Sequence, residues 1–203
     1  MLPLAPKQRE ISPAVNFTVE EYIGIVPPSV KEIILAIRNQ KAVGARPLPS
    51  AKLVDSSTML TLVHRAALLD SVATLVDENL VGRSEMCLQF ADLLQRSLSH
   101  LKFPARAAVG TATYHALDGR ELFSWQHAWV RVGDEVIDGN TDCLFENPMV
   151  PKAVIAAPYW GNIKTVPGRW LRQDRAQSLP SDTDVSEVWW PELKDWLDKR
   201  FLS

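Results

Sequence analysis

The strongest periodic pattern in the chain is an apolar stripe that begins just after Ser57. Apolar residues recur at intervals of three and four from Met59 to Leu80. This spacing predicts a long amphipathic helix. Ser57 stands where a hydroxyl would cap the helix, and Gly82 is expected to end it. His64 falls one position off the stripe, which places it on the helix surface.

A second helix is predicted directly after this glycine, with Ser84 positioned as its cap. Its buried face would consist of apolar residues at helical spacing, namely Phe90, Ala91, Leu94, Leu98 and Leu101. Cys87 would then lie in the first turn, where free backbone amides and the helix dipole favour an anion. Such a placement favours the reactive thiolate form of a cysteine.

After Pro104 the pattern changes to that of strands joined in a hairpin. Asp118-Gly119 is a strong signal for a two-residue turn between strands at 105–117 and 120–132. That register places His127 opposite Gly110. We therefore expect open space beside the imidazole, where another residue would place a side chain.

Gly133-Asp134 predicts a second two-residue turn, which leads into a strand at 135–140. This register pairs Trp129 with Asp138 and His127 with Asn140. Cross-strand partners share a face of the sheet, so the imidazole and both polar side chains would point the same way. A slip of one residue would move them to opposite faces.

The two ends of the chain carry weaker signals. Thr18–Glu21 and Ser29–Glu32 fit capping boxes and predict short helices in the N-terminal segment. Residues 41–57 are predicted to form a loop, and residues 141–188 loop and extended segments around the core. Pro191 suits the start of a C-terminal helix, because apolar residues follow it at helical spacing.

Composition narrows the class of protein. The chain has 203 residues, 46% of them hydrophobic and 23% charged, which suits a single domain over 1–203. A net charge of −2 gives no electrostatic reason to expect nucleic acid or an anionic membrane as partner. Two cysteines are too few for a disulfide framework, and no apolar run suits a signal peptide or membrane span. We therefore expect a cytoplasmic protein.

The candidate chemistry rests on three residues that arrive in the order a cysteine hydrolase needs. Cys87 would be the nucleophile, His127 the base and Asp138 the residue that orients the imidazole. Asn140 is a possible substitute for the carboxylate, because an amide oxygen can also accept the imidazole N–H.

The predicted strands also suggest where a substrate would lie. Trp129 and Gly110 are candidates for the substrate cleft, although a tryptophan is more often a core residue. The backbone amide of Cys87 is expected to be one oxyanion donor. Gln89 and Gln126 are possible second donors, but strand alternation points Gln126 away from the histidine.

Two other uses of the same residues stay open at this point. Cys87, His127, Asp138 and Cys143 could bind zinc, although no Cys-x-x-Cys motif or close histidine pair supports a metal site. Alternatively, the protein could be a non-catalytic module that holds a peptide or protein in the same cleft.

Over residues 57–142 the chain resembles the transglutaminase-like branch of the papain-like cysteine enzymes. The resemblance rests on Gly-Arg-Ser-Glu-Met-Cys87 before a helix, on Leu-Lys-Phe-Pro-Ala-Arg-Ala-Ala-Val-Gly110 after it, on His127-Ala-Trp-Val-Arg-Val and on Val-Ile-Asp138. The segment before the cysteine lacks the Gly-x-Cys-Trp form of many members. In this family the corresponding cysteine, histidine and aspartate form the catalytic triad.

The resemblance implies an α+β fold in which the nucleophile helix packs on a mainly antiparallel sheet. A helical N-terminal segment and a short C-terminal helix would complete it, with residues 1–56 and 143–203 as flanking elaborations. It further implies an amide or peptide hydrolase, or an acyl transferase, that works through a thioester on a protein or peptide substrate. Such chemistry needs no metal or organic cofactor.

Overall fold

The structure is a computed structural model, and it describes residues 53–54, 59–79, 83, 85–174, 179 and 182–202. The two N-terminal capping boxes, Ser57, Gly82 and Ser84 lie outside this part of the chain. The described residues form an α+β fold with helices packed on one sheet. This confirms the predicted α+β class.

The described residues form a sheet of six strands, in which every neighbouring pair except one is antiparallel. Their order across the sheet is β1-β5-β4-β3-β2-β6, and only β1 and β5 run parallel. The strands are β1 (Leu53–Val54), β2 (Arg106–His115), β3 (Glu121–Val132), β4 (Glu135–Asp138), β5 (Tyr159–Asn162) and β6 (Arg169–Gln173).

The helices are α1 (Leu62–Asn79), α2 (Cys87–His100) and α3 (Trp190–Phe201). A π-helical turn, Val185–Trp189, leads directly into α3, which has a proline in its first turn as predicted. Short 3₁₀ turns occupy Leu144–Glu146 and Ile163–Thr165. The sequence pattern predicted α1, α2 and α3. Within the described residues, no helix has the length and apolar composition of a membrane span.

The predicted caps of the first two helices are both wrong. Thr61 caps α1, because its Oγ1 accepts the N–H of His64 at 3.3 Å. The cap position of α2 belongs to Met86, which makes no side-chain cap. Its own N–H instead donates to the carbonyl of Arg83 at 2.9 Å. The turn before Cys87 is therefore closed through the backbone.

The first hairpin reaches its predicted register by a different turn. Ala116 and Arg120 are hydrogen-bonded at 2.8 Å across a loop of three residues, with Gly119 at a φ of +83°. A two-residue turn was therefore the wrong prediction. A bulge between Tyr114 and His115 shifts the pairing by one residue and cancels the longer loop. Gly110 still pairs with His127.

The second hairpin has the predicted turn and a shorter strand. Val132 pairs with Glu135 across Gly133-Asp134. β4 ends at Asp138, so the predicted pairing of His127 with Asn140 does not form in the sheet. The register still brings Trp129 beside Asp138, which leaves the aspartate and the histidine on the same face.

The two faces of the sheet have different coverings. Ala128, Val130 and Ile137 pack with the helices in the main core, whereas Trp129 and Val136 belong to a second cluster. A further cluster packs residues of β2 against the segment after β4; its buried members are Ala112, Tyr114, Leu144, Val150 and Val154. Alternation along β3 places His127 on this second face.

Residues 141–188 were predicted to form loop and extended segments, and two of the extended segments are strands of the sheet, which the sequence did not identify. Two strands of the sheet, β5 and β6, come from this region, and the predicted loop at 41–57 contains β1. Both stretches lack a clear alternation; β5 reads Tyr-Trp-Gly-Asn, and β6 reads Arg-Trp-Leu-Arg-Gln at the sheet edge. The sheet therefore extends beyond residues 57–142.

Candidate active site

The site is built around the carboxylate of Asp138 at the end of β4. One oxygen, Oδ1, accepts the Nε2–H of His127 at 2.7 Å. The other, Oδ2, accepts the Nε–H of Arg169 at 2.7 Å. All three residues are at most 2% exposed. The predicted orientation of His127 by Asp138 is therefore present as a hydrogen bond, and the carboxylate is held from both sides.

Arg169 is a residue that the sequence did not suggest. It lies on β6, and its guanidinium also donates to the carbonyl of Ala157 at 3.2 Å and to that of Pro167 at 3.5 Å. These contacts fix the arginine against the backbone, so its position does not depend on the carboxylate alone. No local motif marks Arg169, and the sequence pattern did not predict the strand that carries it.

The charges of the buried group stabilise one another. Burial would lower the pKa of His127, but the charge and hydrogen bond of Asp138, with a smaller contribution from Cys87, raise it to about 10. Burial would likewise raise the pKa of Asp138, but Arg169 and His127 lower it to about 2. An imidazolium and a carboxylate are thus the favoured forms near neutral pH.

Cys87 is the first residue of α2, as the sequence predicts for a thiol in the first turn. Its thiol is close enough to His127 to raise the pKa of the imidazole by hydrogen bonding and by charge. The second ring nitrogen, Nδ1, makes no hydrogen bond of standard geometry to a described residue. The ring is therefore held at Nε2, and Nδ1 is not used in a hydrogen bond to a described residue.

The turn before Cys87 is attached to the chain that follows Asp138. The Arg83 guanidinium makes two hydrogen bonds to Asp142, at 3.0 and 3.1 Å, and the Arg83 N–H donates to Glu146 at 3.4 Å. These contacts connect the turn before α2 to the segment that follows β4.

Asn140 does not orient the histidine. Its Nδ2 donates to the carbonyl of Arg83 at 2.8 Å, and its Oδ1 lies 3.6 Å from the Cys143 sulfur. The prediction of Asn140 as a substitute for Asp138 is therefore wrong, because its amide is bound to the turn before α2. Asn140 holds the position of that turn instead.

The zinc alternative gains no support from the arrangement. The described residues contain no group of three or more histidine, cysteine or acidic side chains arranged to hold a metal ion. Cys143 is fully buried beside Asn140 and donates weakly to its oxygen atoms. The carboxylate of Asp138 is already occupied by two donors.

The two candidates for the substrate cleft are placed differently from the prediction. Trp129 is 1% exposed in the second cluster, so it does not line an open cleft. At Gly110, a Cβ atom would come within 2.1 Å of the Arg172 carbonyl. The space beside Gly110 is thus filled by the backbone of β6, and glycine is needed for that close approach.

Aromatic rings enclose the histidine along its own strand. Trp125 stacks on His127 with ring centroids 6.1 Å apart and planes 12° apart, and Trp129 lies 6.2 Å away on the other side. Residues two apart on a strand share a face, which explains the row. The rings restrict rotation of the imidazole and exclude water from it.

The two glutamines considered as oxyanion donors are not free at the site. Gln126 is exposed on the opposite side of the strand from His127. Gln89 donates its amide N–H to Asp182 at 3.1 Å. The first-turn amides of α2 lack intrahelical acceptors, so the amide of Cys87 stays the expected donor.

Comparison with known proteins gives little guidance. No protein-family model matches the chain. No curated protein matches it either. Among solved structures, the chain is similar to a crystal structure described only as a genomics target. The TM-score is 0.45 at 15% identity, over 71% of this chain and 80% of the other.

Proposed function

We propose that this protein is a cysteine-dependent amide or peptide hydrolase, or an acyl transferase, of the transglutaminase-like branch of papain-like enzymes. The observation that carries the proposal is the buried Asp138 carboxylate, which holds His127 by Nε2 while the thiol at the start of α2 is near enough to raise the pKa of the imidazole. A histidine held in this way can serve a neighbouring nucleophile as acid and base.

The proposed reaction begins from the thiolate of Cys87 and the imidazolium of His127. The sulfur attacks the carbonyl carbon of a carboxamide or peptide, and the developing oxyanion is stabilised by the amide of Cys87. When the C–N bond breaks, His127 gives its proton to the leaving amine and a thioester remains. Water or an amine then attacks the thioester, His127 takes up its proton, and the sulfur leaves as thiolate.

Arg169 has a defined part in this scheme. It balances the carboxylate of Asp138, so the aspartate stays charged although it is buried. The charged aspartate in turn favours the imidazolium, which is the proton donor to the leaving group. Both cysteines of the chain are free, which is the usual state in a reducing compartment, so we include a cytoplasmic location in the proposal.

A peptide library that contains glutamine and asparagine tests the proposal. The library is incubated with the protein, with and without a primary amine, and products are read by mass spectrometry. We expect cleavage, deamidation or amine incorporation with wild type and with Cys143→Ser, and none with Cys87→Ser. Peptides that bind but stay unchanged with all three would favour the non-catalytic binding module instead.

A further inference from the structure

A pair of arginines stands away from the thiol, at the far end of the first hairpin. Arg106 of β2 and Arg131 of β3 are direct partners in the antiparallel register. Direct partners share a face, with Cβ atoms about 4.5–5.5 Å apart, and like charges at such positions repel each other. Their repulsion opposes formation of the hairpin at this position.

The described part of the protein does not neutralise the pair. Arg106 is exposed and makes no hydrogen bond or ion pair through its side chain with any described residue. Arg131 donates from Nη2 to the carbonyl of Gly133 at 3.3 Å, which is a neutral acceptor. Its Nε is buried and finds no acceptor there. A buried guanidinium N–H without an acceptor is unfavourable.

Both arginines line the same cavity, whose volume is about 420 Å³. The other residues that line it include Gln173 from β6, which has a polar side chain, and the apolar residues Pro104 and Ala108. The cavity size lies in the range of small-molecule sites, which are concave and carry a few convergent polar groups.

We propose that this cavity is an oxyanion-binding site for a phosphate or carboxylate group. Two adjacent guanidinium groups offer paired N–H donors that match the oxygen atoms of such groups, and a bound anion would remove the repulsion. Arg131 lies four residues beyond His127 on β3, about 13 Å along the strand. The site is thus separate from the thiol and does not depend on the proposed function.

Binding can be observed directly at the guanidinium of Arg131. The protein is labelled with ¹⁵N in its arginine side chains, and Nε–H resonances are followed during separate titrations with inorganic phosphate and with citrate. Sodium chloride at equal ionic strength is the reference. We expect the Arg131 resonance to shift and saturate with one or both anions but not with chloride, and the anion that binds tighter identifies the preferred group.

Two variants test the pairing. Arg106→Gln removes one charge at an exposed position, so the fold is retained, and we expect about tenfold weaker anion binding for the loss of one charge-assisted contact. Arg172→Gln is the matched control, because Arg172 is also exposed on an adjoining strand but binds Thr111 instead. It should bind as wild type does.

Thermal unfolding gives an independent measure. Binding to the native state alone raises the Tm, and the stabilisation grows with the logarithm of one plus the ratio of the free ligand concentration to Kd. Phosphate or citrate should raise the Tm of wild type more than that of Arg106→Gln. In chloride, the Tm of Arg106→Gln should be at least as high as that of wild type. An unsaturable Arg131 shift, or equal binding by wild type and Arg106→Gln, would overturn the proposal.

Discussion

Arg169 and Asp138 form a buried ion pair in which the Nε of the arginine lies 2.7 Å from Oδ2 of the aspartate. The two residues come from strands at different places in the sheet, β6 at its edge and β4 near its middle. Because the other oxygen of the same carboxylate binds His127, the arginine helps to determine the charge of the histidine. The candidate triad is thus supported by a fourth residue.

The first prediction concerns the stability that this pair provides. Arg169→Met leaves the carboxylate of Asp138 without its main counter-charge, and breaking a buried pair typically costs about 3–5 kcal/mol. Arg169→Lys keeps the charge but not the planar donor group, so its loss should be smaller. Urea unfolding measures both variants.

Arg172→Met is the matched control on the same strand. Arg172 is exposed and donates to Thr111, so its replacement should change the free energy of unfolding by about 0.5 kcal/mol or less. If Arg169→Met and Arg172→Met lowered the free energy of unfolding equally, the buried pair would stabilise the fold no more than an exposed contact does.

The second prediction is a pH dependence of stability. The pKa of His127 is raised from 6.5 to about 10, so its contribution is complete below pH 6.5 and is lost as the pH rises toward 10. The pKa of Asp138 is lowered from 3.8 to about 2, so its contribution is present above pH 3.8 and is lost as the pH falls toward 2.

Urea unfolding of wild type and Asp138→Asn over this pH range measures the effect. The difference in free energy of unfolding between them should be largest between pH 3.8 and 6.5. It should decrease as the pH rises above 6.5 and as it falls below 3.8. A difference that is constant with pH would mean that the pair is not ionised in the native state.

The third prediction separates Asp138 from Asn140. Asp138→Asn removes the charge that favours the imidazolium, so alkylation of Cys87 should begin at a higher pH than in wild type. Asn140→Ala removes one of two donors to the Arg83 carbonyl, which keeps the Met86 N–H. It should therefore cost about 0.5–1.5 kcal/mol of stability and leave the onset of alkylation unchanged. If only Asn140→Ala shifts the onset, the assignment of the orienting residue is wrong.

The fourth prediction concerns Gly110. A Cβ atom there would collide with the Arg172 carbonyl, so Gly110→Ala must displace β6. Overpacking of this kind typically costs about 1–3 kcal/mol. Because β6 carries Arg169, thiol reactivity should fall together with the Tm. Unchanged stability with lost reactivity would instead place Gly110 at an open substrate site.

The sequence was sufficient for the parts of the fold that have a strong local period. The helices after Ser57 and Gly82, the hairpin register at His127 and the turn at Gly133 follow from apolar spacing and turn residues. The register was correct although the first turn was not, because a bulge compensates for the extra loop residue.

The parts of the fold and site that the sequence did not predict depend on contacts between distant segments. β5 and β6 are four and five residues long and carry no clear alternation, so nothing local marks them as strands. Arg169 could not be assigned to the site without β6. Asn140 was misassigned for a related reason, since its partner is the Arg83 carbonyl, 57 positions away in the sequence.

The most direct test of the account is the alkylation of Cys87 at about pH 6, where an ordinary thiol with a pKa of about 8.5 is almost wholly protonated. A Cys143→Ser background leaves a single thiol, and iodoacetamide labelling is followed by mass spectrometry in that protein and in the same protein with His127→Gln. We expect rapid labelling of Cys87 that His127→Gln abolishes at this pH. Equal labelling of the two proteins, or none in either, would contradict it.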